Sequence, residues 1–497
     1  MSRLSYDLVV IGSGPAGQKA ASMAAKLGRR VALVDRAGSV GGVCIHTGTV
    51  PSKAMREAVL HLTGFRERSV YGDSYAVKQA ITMDDLLYRC RHVVRTEVEV
   101  IRAQMARDGV TVLYGEASFA DPHTVRVTRD DDVTEVGADH VLVATGTVPL
   151  RPDNVPFTPN VVFDSDGLLT LPRLPKSLIV VGGGVIGAEY ACMLAAVGVR
   201  VTLVEGRPRL LEFVDDELSE SLQFRMRDMG VRLRLGESVS KIEVVGGGEG
   251  DDGGGDKGEP RRVEATLASN KVLDADCLLY CVGRQGATRS LNLAAAGLAA
   301  DGRGRLKVNE HHQTDVAHVY AAGDVIGFPA LAATSMEQGR LAALHMFGRV
   351  SEGPGPVFPY GIYTIPEISM VGQTEQALTA AGTPYEVGIA RYRETARGLL
   401  IADPHGLLKL LFHPRSRRLL GVHAIGTGAT ELIHIGQTVM AAGLPIDYFV
   451  ESVFNYPTLA ECYKIAAIDG INRVREPAAD AAAVPAATGG PALAKAA

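Results

Sequence analysis

Two stretches of the chain share one succession of hydrophobic and polar positions. In the first, DLVVIG (Asp7 to Gly12) is an apolar run of strand length followed by a glycine-rich turn. An Ala-rich stretch from Ala16 to Leu27 comes next, then a second apolar run, RVALVD, ending at Asp35. Short apolar runs bounded by glycine predict buried strands, and the Ala-rich stretch predicts a helix. The second copy spans Leu178 to Glu205: LIVVGGGVIGAEY, a helical stretch, then RVTLVE. From Phe358 to about Asn472 the pattern changes to strand-like LLKLLF and LLGVHAIG, then helical ATELIHIGQTVMAAG. Gly246 to Gly258, GGGEGDDGGGDKG, is low-complexity and acidic, and predicts a disordered hairpin tip between GESVSKIEVV and RRVEATLA. The Ala/Pro-rich tail from Arg475 predicts an unpacked segment without chemistry.

Gly12, Gly14 and Gly17 keep the spacing G-x-G-x-x-G. Glycines so spaced permit a tight turn and let a pyrophosphate approach backbone N–H groups at a helix N-terminus. Asp35 stands 23 residues after Gly12, near the ~20 expected of the acid that accepts hydrogen bonds from a ribose. Gly182, Gly184 and Gly187 repeat the spacing, with Glu205 again 23 residues on. The glycines alone would be an ordinary turn. Strand, helix, strand and terminal acid together predict two Rossmann-type units and two dinucleotides, one resident and one exchanging.

A chain of 497 residues predicts two to four domains, and 46% apolar residues suffice for large cores. The net charge of −5 gives no reason to expect nucleic acid or an anionic membrane as partner. No apolar run approaches the ~18 residues of a membrane span. The N-terminal apolar run leads into a glycine turn without a small-residue cleavage site, so no signal peptide is expected. Cys277 and Cys281 sit in CLLYC, which reads as a strand. Their separation of about 13 Å is too great for a disulfide. Apart from Cys44, the six cysteines read as buried thiols of a reducing cytoplasm. No metal site is expected.

Gly41 to Lys53, GGVCIHTGTVPSK, resembles the redox segment of the flavoprotein disulfide reductases, relatives of dihydrolipoamide dehydrogenase and glutathione reductase. VLVATGTVP (Val141 to Pro149) is similar to the strand and ATG turn that close the FAD domain in that family. VYAAGDVIG (Val319 to Gly327) resembles the segment whose aspartate, here Asp324, hydrogen-bonds the flavin's ribityl or pyrophosphate region. The resemblance spans roughly residues 5 to 472. It implies an α/β fold with an FAD domain, an NAD(P) domain inserted within it, and a C-terminal α+β dimerisation domain. The implied divisions are 1–155 and 284–350 for FAD, 156–283 for NAD(P), 351–474 for the interface, and 475–497 as a disordered tail. A homodimer is implied, with higher homo-oligomers left open. Cofactor contacts are implied for Gly42, Cys44, Thr49, Lys53, Thr145, Gly146 and Gly283, beside the glycines and acids already named.

In that family two cysteines separated by four residues form a disulfide against the flavin. Here Cys44 holds the farther position, and Thr49 replaces the nearer cysteine. A threonine hydroxyl can neither form a disulfide nor serve as a thiolate. Cys44 is therefore expected to be a relic or packing residue, a lone nucleophile being the alternative. FNYPTLAE (Phe454 to Glu461) resembles the family's His-Pro-Thr-x-x-x-Glu segment, which the partner subunit contributes. Tyr456 replaces the histidine, and a phenol of pKa ~10 is a poor general base. Glu461 remains. Lys53 and Glu189 match a lysine–glutamate pair beside the flavin's reactive nitrogen, where a cation stabilises developing negative charge. Either residue alone would read as a solvated surface group.

Both losses fall on the dithiol half of the chemistry, while the nicotinamide half is intact. GGVCIHTGTVPSKA, LLYCVGR, GIYTIPEISMVGQTE and FNYPTLAE together resemble the soluble pyridine nucleotide transhydrogenase branch. That resemblance implies hydride transfer between NADPH and NAD⁺ through bound FAD, by a ping-pong mechanism without sulfur. Glu205 suits the 2′-hydroxyl of NAD(H) and should repel the 2′-phosphate of NADP(H). Arg207 and Arg209 are the candidates to hold that phosphate. The alternatives are an NAD(P)H-dependent quinone or dye reductase and, outside enzymes, a flavin-bound redox sensor.

Overall fold

The strand Leu4–Ile11 lies at the middle of a seven-stranded sheet, and its second half, Leu8 to Ile11, is buried. The computed structural model that shows this describes residues 4–36, 38–72, 74–246, 261–349, 351, 355 and 357–474. Residues 247–258 of the glycine-rich insertion and the tail from Arg475 lie outside the described residues. Continuous apolar runs such as DLVVI suit a parallel strand covered on both faces. Leu4–Ile11 pairs parallel with Val31–Asp35 on one side, Leu8 facing Val31 and Ile11 facing Val34. On the other side it pairs with Asp132–Val143, Val9 facing Val141. Asp132–Val143 serves two partners: its first half runs antiparallel to Thr124–Arg129, its second half parallel to Leu4–Ile11. Val319–Ala321 completes the sheet beside Val141–Val143.

A second parallel sheet is formed within the stretch between those last two strands. Its order is Arg232–Leu235, Arg200–Glu205, Ser177–Val181, Cys277–Tyr280, Val162–Phe163. A three-stranded antiparallel sheet, Val239–Val245, Arg262–Leu267 and Val272–Ala275, lies beside it. The chain leaves and re-enters the first unit side by side: Thr147–Pro149 pairs antiparallel with Arg284–Gly286. The third unit is a five-stranded antiparallel sheet running from Tyr360–Ile362 to Glu386–Arg391, with helices Ala429–Ala441 and Glu461–Ile471 packed on it.

The helices begin where their sequences provide for it. Pro15–Lys26 has proline in its first turn, where the missing N–H costs nothing. Met83–Arg107 starts from a capping box, Thr82 and Asp85 satisfying each other's backbone N–H groups. Pro15–Lys26 lies against Ala332–Met346 so closely that a Cβ on Gly339 would be 2.0 Å from the Ala16 carbonyl oxygen. That contact seats the helix following Asp324 against the first glycine loop. Among the described residues no helix is long and apolar enough to cross a membrane, and all six cysteines are free.

Candidate active site

The first glycine loop opens one wall of a cleft of about 340 Å³, within the ~300–1,000 Å³ of small-molecule sites. Its three glycines do different work. A Cβ on Gly12 would be 2.3 Å from the Ala144 carbonyl oxygen, and one on Gly17 would be 1.9 Å from that of Gly12. These two close the turn and seat the helix on it. Apart from its chain neighbours, a Cβ on Gly14 would meet no described residue within 4 Å, so that face is left for a ligand. Asp35 is buried and accepts hydrogen bonds from the Ser13 N–H and hydroxyl. The Ser13 hydroxyl oxygen in turn accepts from Gly41 N–H at 2.8 Å, tying the first loop to the stretch that carries Cys44. Sequence reasoning passed over Ser13, although its place inside the glycine spacing was the available signal.

Gly42, Cys44, Thr49, Thr145, Gly146 and Asp324 line the same cleft. The Thr145 hydroxyl is buried and has no hydrogen-bond partner among the described residues. An orphaned buried hydroxyl beside an open glycine face is what a polar cofactor would satisfy. Asp324 is pushed above the ordinary carboxyl value by burial, against the attraction of Arg284, and Ser335 donates to it at 3.3 Å. These residues fit the adenine dinucleotide of a flavin. Asp166, absent from the sequence-based candidates, also lines the cleft, and burial raises its carboxyl too.

The second loop opens a cleft of about 690 Å³. Gly182, Gly184, Glu205, Arg207, Gly283 and Arg284 line it. The division of labour repeats: a Cβ on Gly187 would be 1.9 Å from the Gly182 carbonyl oxygen, while one on Gly184 would meet no described residue within 4 Å beyond its chain neighbours. Glu205 Oε2 accepts Gly183 N–H at 2.5 Å. Arg207 donates to Glu205 Oε1 from its backbone N–H at 2.9 Å and from Nε at 2.8 Å, and from Nη2 to Oε2 at 3.0 Å. Arg209 is paired with Asp216 instead and does not line the cleft.

Between the clefts stands an ion pair. Lys53 lies one helical turn beyond Thr49 on Thr49–Leu62, and Glu189 one turn beyond Val185 on Val185–Ala196. Lys53 Nζ donates to Glu189 Oε2 at 2.8 Å and to Oε1 at 3.0 Å. The third unit closes the arrangement: Tyr363 donates its backbone N–H to Glu189 Oε1 at 2.8 Å, and Lys53 Nζ lies 5.0 Å from its ring centroid. Glu189 is buried and Lys53 is partly exposed. One charged pair thus joins all three units, and its cation keeps solvent access.

Cys44 sits in the first cleft with its thiol pushed above the ordinary value by burial, which outweighs a hydrogen bond with Thr49 and the nearby Lys53 charge. At neutral pH it is a thiol rather than a thiolate, and so a weak nucleophile. Tyr456 is 67% exposed and lines neither of these two clefts of its own chain. Glu461 Oε2 is buried without a hydrogen-bond partner among the described residues.

Two dinucleotide clefts joined by a lysine–glutamate pair define an oxidoreductase that couples a resident cofactor to an exchanging nucleotide. The family model for pyridine nucleotide-disulphide oxidoreductases matches residues 6–339, and that of their dimerisation domain matches residues 358–467. The chain belongs to this family, whose flavoprotein members imply FAD as cofactor and NAD(P)H as substrate. It is 52% identical over 472 residues to a soluble pyridine nucleotide transhydrogenase of Mycobacterium bovis BCG, covering 95% of this chain and 98% of the relative. A soluble pyridine nucleotide transhydrogenase of Colwellia psychrerythraea is 43% identical over 474 residues, 94% and 98% of the two chains. Among solved structures, the HOCl-induced flavoprotein disulfide reductase RclA from Escherichia coli superposes with a TM-score of 0.81 at 28% identity, over 95% of this chain and 100% of its own. LpdA from Mycobacterium tuberculosis gives 0.83 at 25% identity, over 94% and 99%.

Proposed function

We propose that this chain is a soluble pyridine nucleotide transhydrogenase, moving hydride between NADPH and NAD⁺. The observation that carries the reading is the intact Lys53–Glu189 pair between two dinucleotide clefts, where Thr49 stands in place of the thiol a disulfide reductase would need. FAD, when bound in the first cleft, would supply a hydride acceptor and donor. Gly14, Thr145 and Asp324 would hold it; Gly184 and Glu205 would hold the nicotinamide nucleotide. Lys53 keeps a fixed positive charge where negative charge develops, and Glu189, itself fixed by Tyr363 N–H, keeps that cation in position. Lys53 and Glu189 are the catalytic residues of this reading. Donor and acceptor carry the same nicotinamide, so the pool ratios set the direction. One nucleotide cleft serves both in turn, which makes the kinetics ping-pong. The dimerisation domain supports a homodimer.

The test supplies purified enzyme with NADPH and thio-NAD⁺, and no quinone. Formation of thio-NADH is expected, with parallel lines in double-reciprocal plots. Reduction of quinones or dyes alone would transfer the reading to a diaphorase. Failure of NADPH to bleach the flavin would favour a sensor.

A further inference from the structure

A transhydrogenase must take NAD(H) and NADP(H) into one cleft, yet a buried carboxylate at the ribose would discriminate against the 2′-phosphate. The Glu205 carboxylate is already fully engaged. Two of its four donors are backbone N–H groups, Gly183 and Arg207; the other two belong to the Arg207 guanidinium. A carboxylate has about four acceptor sites, so none is left over for a ribose hydroxyl without an exchange of partners.

The two kinds of donor differ in freedom. Gly183 is pressed against the acid: a Cβ there would be 3.0 Å from Glu205 Cβ and Cγ and 2.4 Å from Leu210 Cδ2. That backbone contact is fixed. The Arg207 side chain is 45% exposed at the cleft wall, while that of Glu205 is 8% exposed. The guanidinium can therefore turn outward while Glu205 keeps its backbone donors, the Gly183 and Arg207 N–H groups. Burial alone would raise the Glu205 carboxyl, but the Arg207 bonds and the Gly183 N–H hold it below the ordinary value. Arg209 has its own partner, Asp216, away from the cleft.

The geometry points to Arg207 as an exchangeable counterion that lets this one cleft accept both nucleotides. With NAD(H) bound, its guanidinium gives up one bond so that Glu205 can receive the ribose hydroxyl. With NADP(H) bound, the fork turns from Glu205 to the 2′-phosphate, and the two backbone N–H groups keep the acid satisfied. No covalent bond changes. This inference deepens the transhydrogenase reading and rests on it for the need to accept both nucleotides.

The experiment measures calorimetric binding of adenosine 2′,5′-bisphosphate and of AMP to the flavin-loaded enzyme. The two probes differ only in the 2′-phosphate and carry no nicotinamide. Arg207→Gln is expected to weaken the bisphosphate about tenfold to a hundredfold, the range for charged hydrogen bonds, and to change AMP by less than about threefold. Arg207→Lys keeps the charge but loses the fork, and should fall between. Arg209→Gln, which breaks an exposed pair, should leave both probes within about threefold of wild type. Equal weakening of both probes by Arg207→Gln would assign it a structural role and overturn the inference, as would no change in either. Turnover of NADPH with thio-NAD⁺ separates the two ideas. Wild-type turnover without Arg207 dependence of the bisphosphate sinks the counterion alone. An Arg207-dependent bisphosphate site without such turnover sinks the transhydrogenase reading alone.

Discussion

At the scale of the residue, hydride transfer depends on where one cation is held. Lys53 Nζ is fixed by both oxygens of Glu189, and Glu189 by the Tyr363 N–H. Lys53→Met keeps most of the side-chain volume and removes the charge. It is expected to lower hydride transfer about 10²- to 10³-fold, the scale for losing one electrostatic stabiliser. Flavin content should stay at the wild-type level, because Lys53 does not line the first cleft. Loss of bound flavin in this variant would show that Lys53 is part of the binding wall. Lys53 and Glu189 could be read from the sequence because each sits at a fixed offset from a recognisable motif. Tyr363 could not: its contribution is a backbone N–H brought in by the third unit, and no side-chain chemistry marks it. The Arg207 arrangement was half legible. Two arginines after Glu205 were visible, but which of them reaches the acid depends on the turn after Arg200–Glu205.

At the scale of the element, a second charged group fastens the nucleotide unit to the third unit. Lys409, within Leu407–Phe412, is fully buried and donates to Asp215 at 2.8 Å and to Glu375 at 2.7 Å. Asp215 caps the helix Asp216–Asp228, so the pair fixes that helix to the antiparallel sheet. Burial would raise Asp215, but the His423 and Lys409 charges more than offset it. Lys409→Met should destabilise the protein by about 3–5 kcal/mol, because Asp215 would be left as an uncompensated buried charge. Denaturant unfolding of that variant beside Lys409→Met/Asp215→Leu checks this; equal stability losses would contradict it. His423, buried beside them, is held below the ordinary imidazole value by burial, against the pull of Asp215 and a bond to the Gln373 carbonyl oxygen, with Lys409 adding to the lowering. Its folded pKa is thus below its unfolded one, and the unfolded state takes up the proton first. Stability contributed by this site falls as pH drops through about 6.5. The midpoint difference between wild type and His423→Gln should therefore shrink or reverse from pH 7.5 to pH 5.5. A constant difference would show that His423 does not titrate on unfolding. Nothing in the pattern of LLKLLF announced this role. Lys409 looks like a solvent-facing position until the helix capped by Asp215 is packed over it.

At the scale of the whole molecule, the chain was legible where local pattern and glycine geometry coincide. Both glycine loops, both terminal acids, the parallel part of the first sheet and the parallel second sheet follow from runs such as DLVVIG and LIVVGG. The hairpin of Val239–Val245 with Arg262–Leu267 followed from the two strand-like flanks of the glycine-rich insertion, but the pairing of Thr147–Pro149 with Arg284–Gly286 was not legible, because it joins short segments distant in sequence. That pairing matters for function. It places Arg284, whose Nε donates to the Thr147 hydroxyl at 2.8 Å, in the wall of the second cleft while its charge acts on Asp324 in the first. The molecule thus sets two clefts against a shared charged boundary, with burial holding Cys44 in the thiol form.

The most direct measurement is steady-state turnover of NADPH with thio-NAD⁺ by Cys44→Ser, with flavin content and anaerobic reducibility recorded in the same sample. A hydride path that bypasses sulfur predicts turnover within about threefold of wild type, the effect of a small packing change. Abolished turnover, with the flavin still bound and still reduced by NADPH, would contradict it.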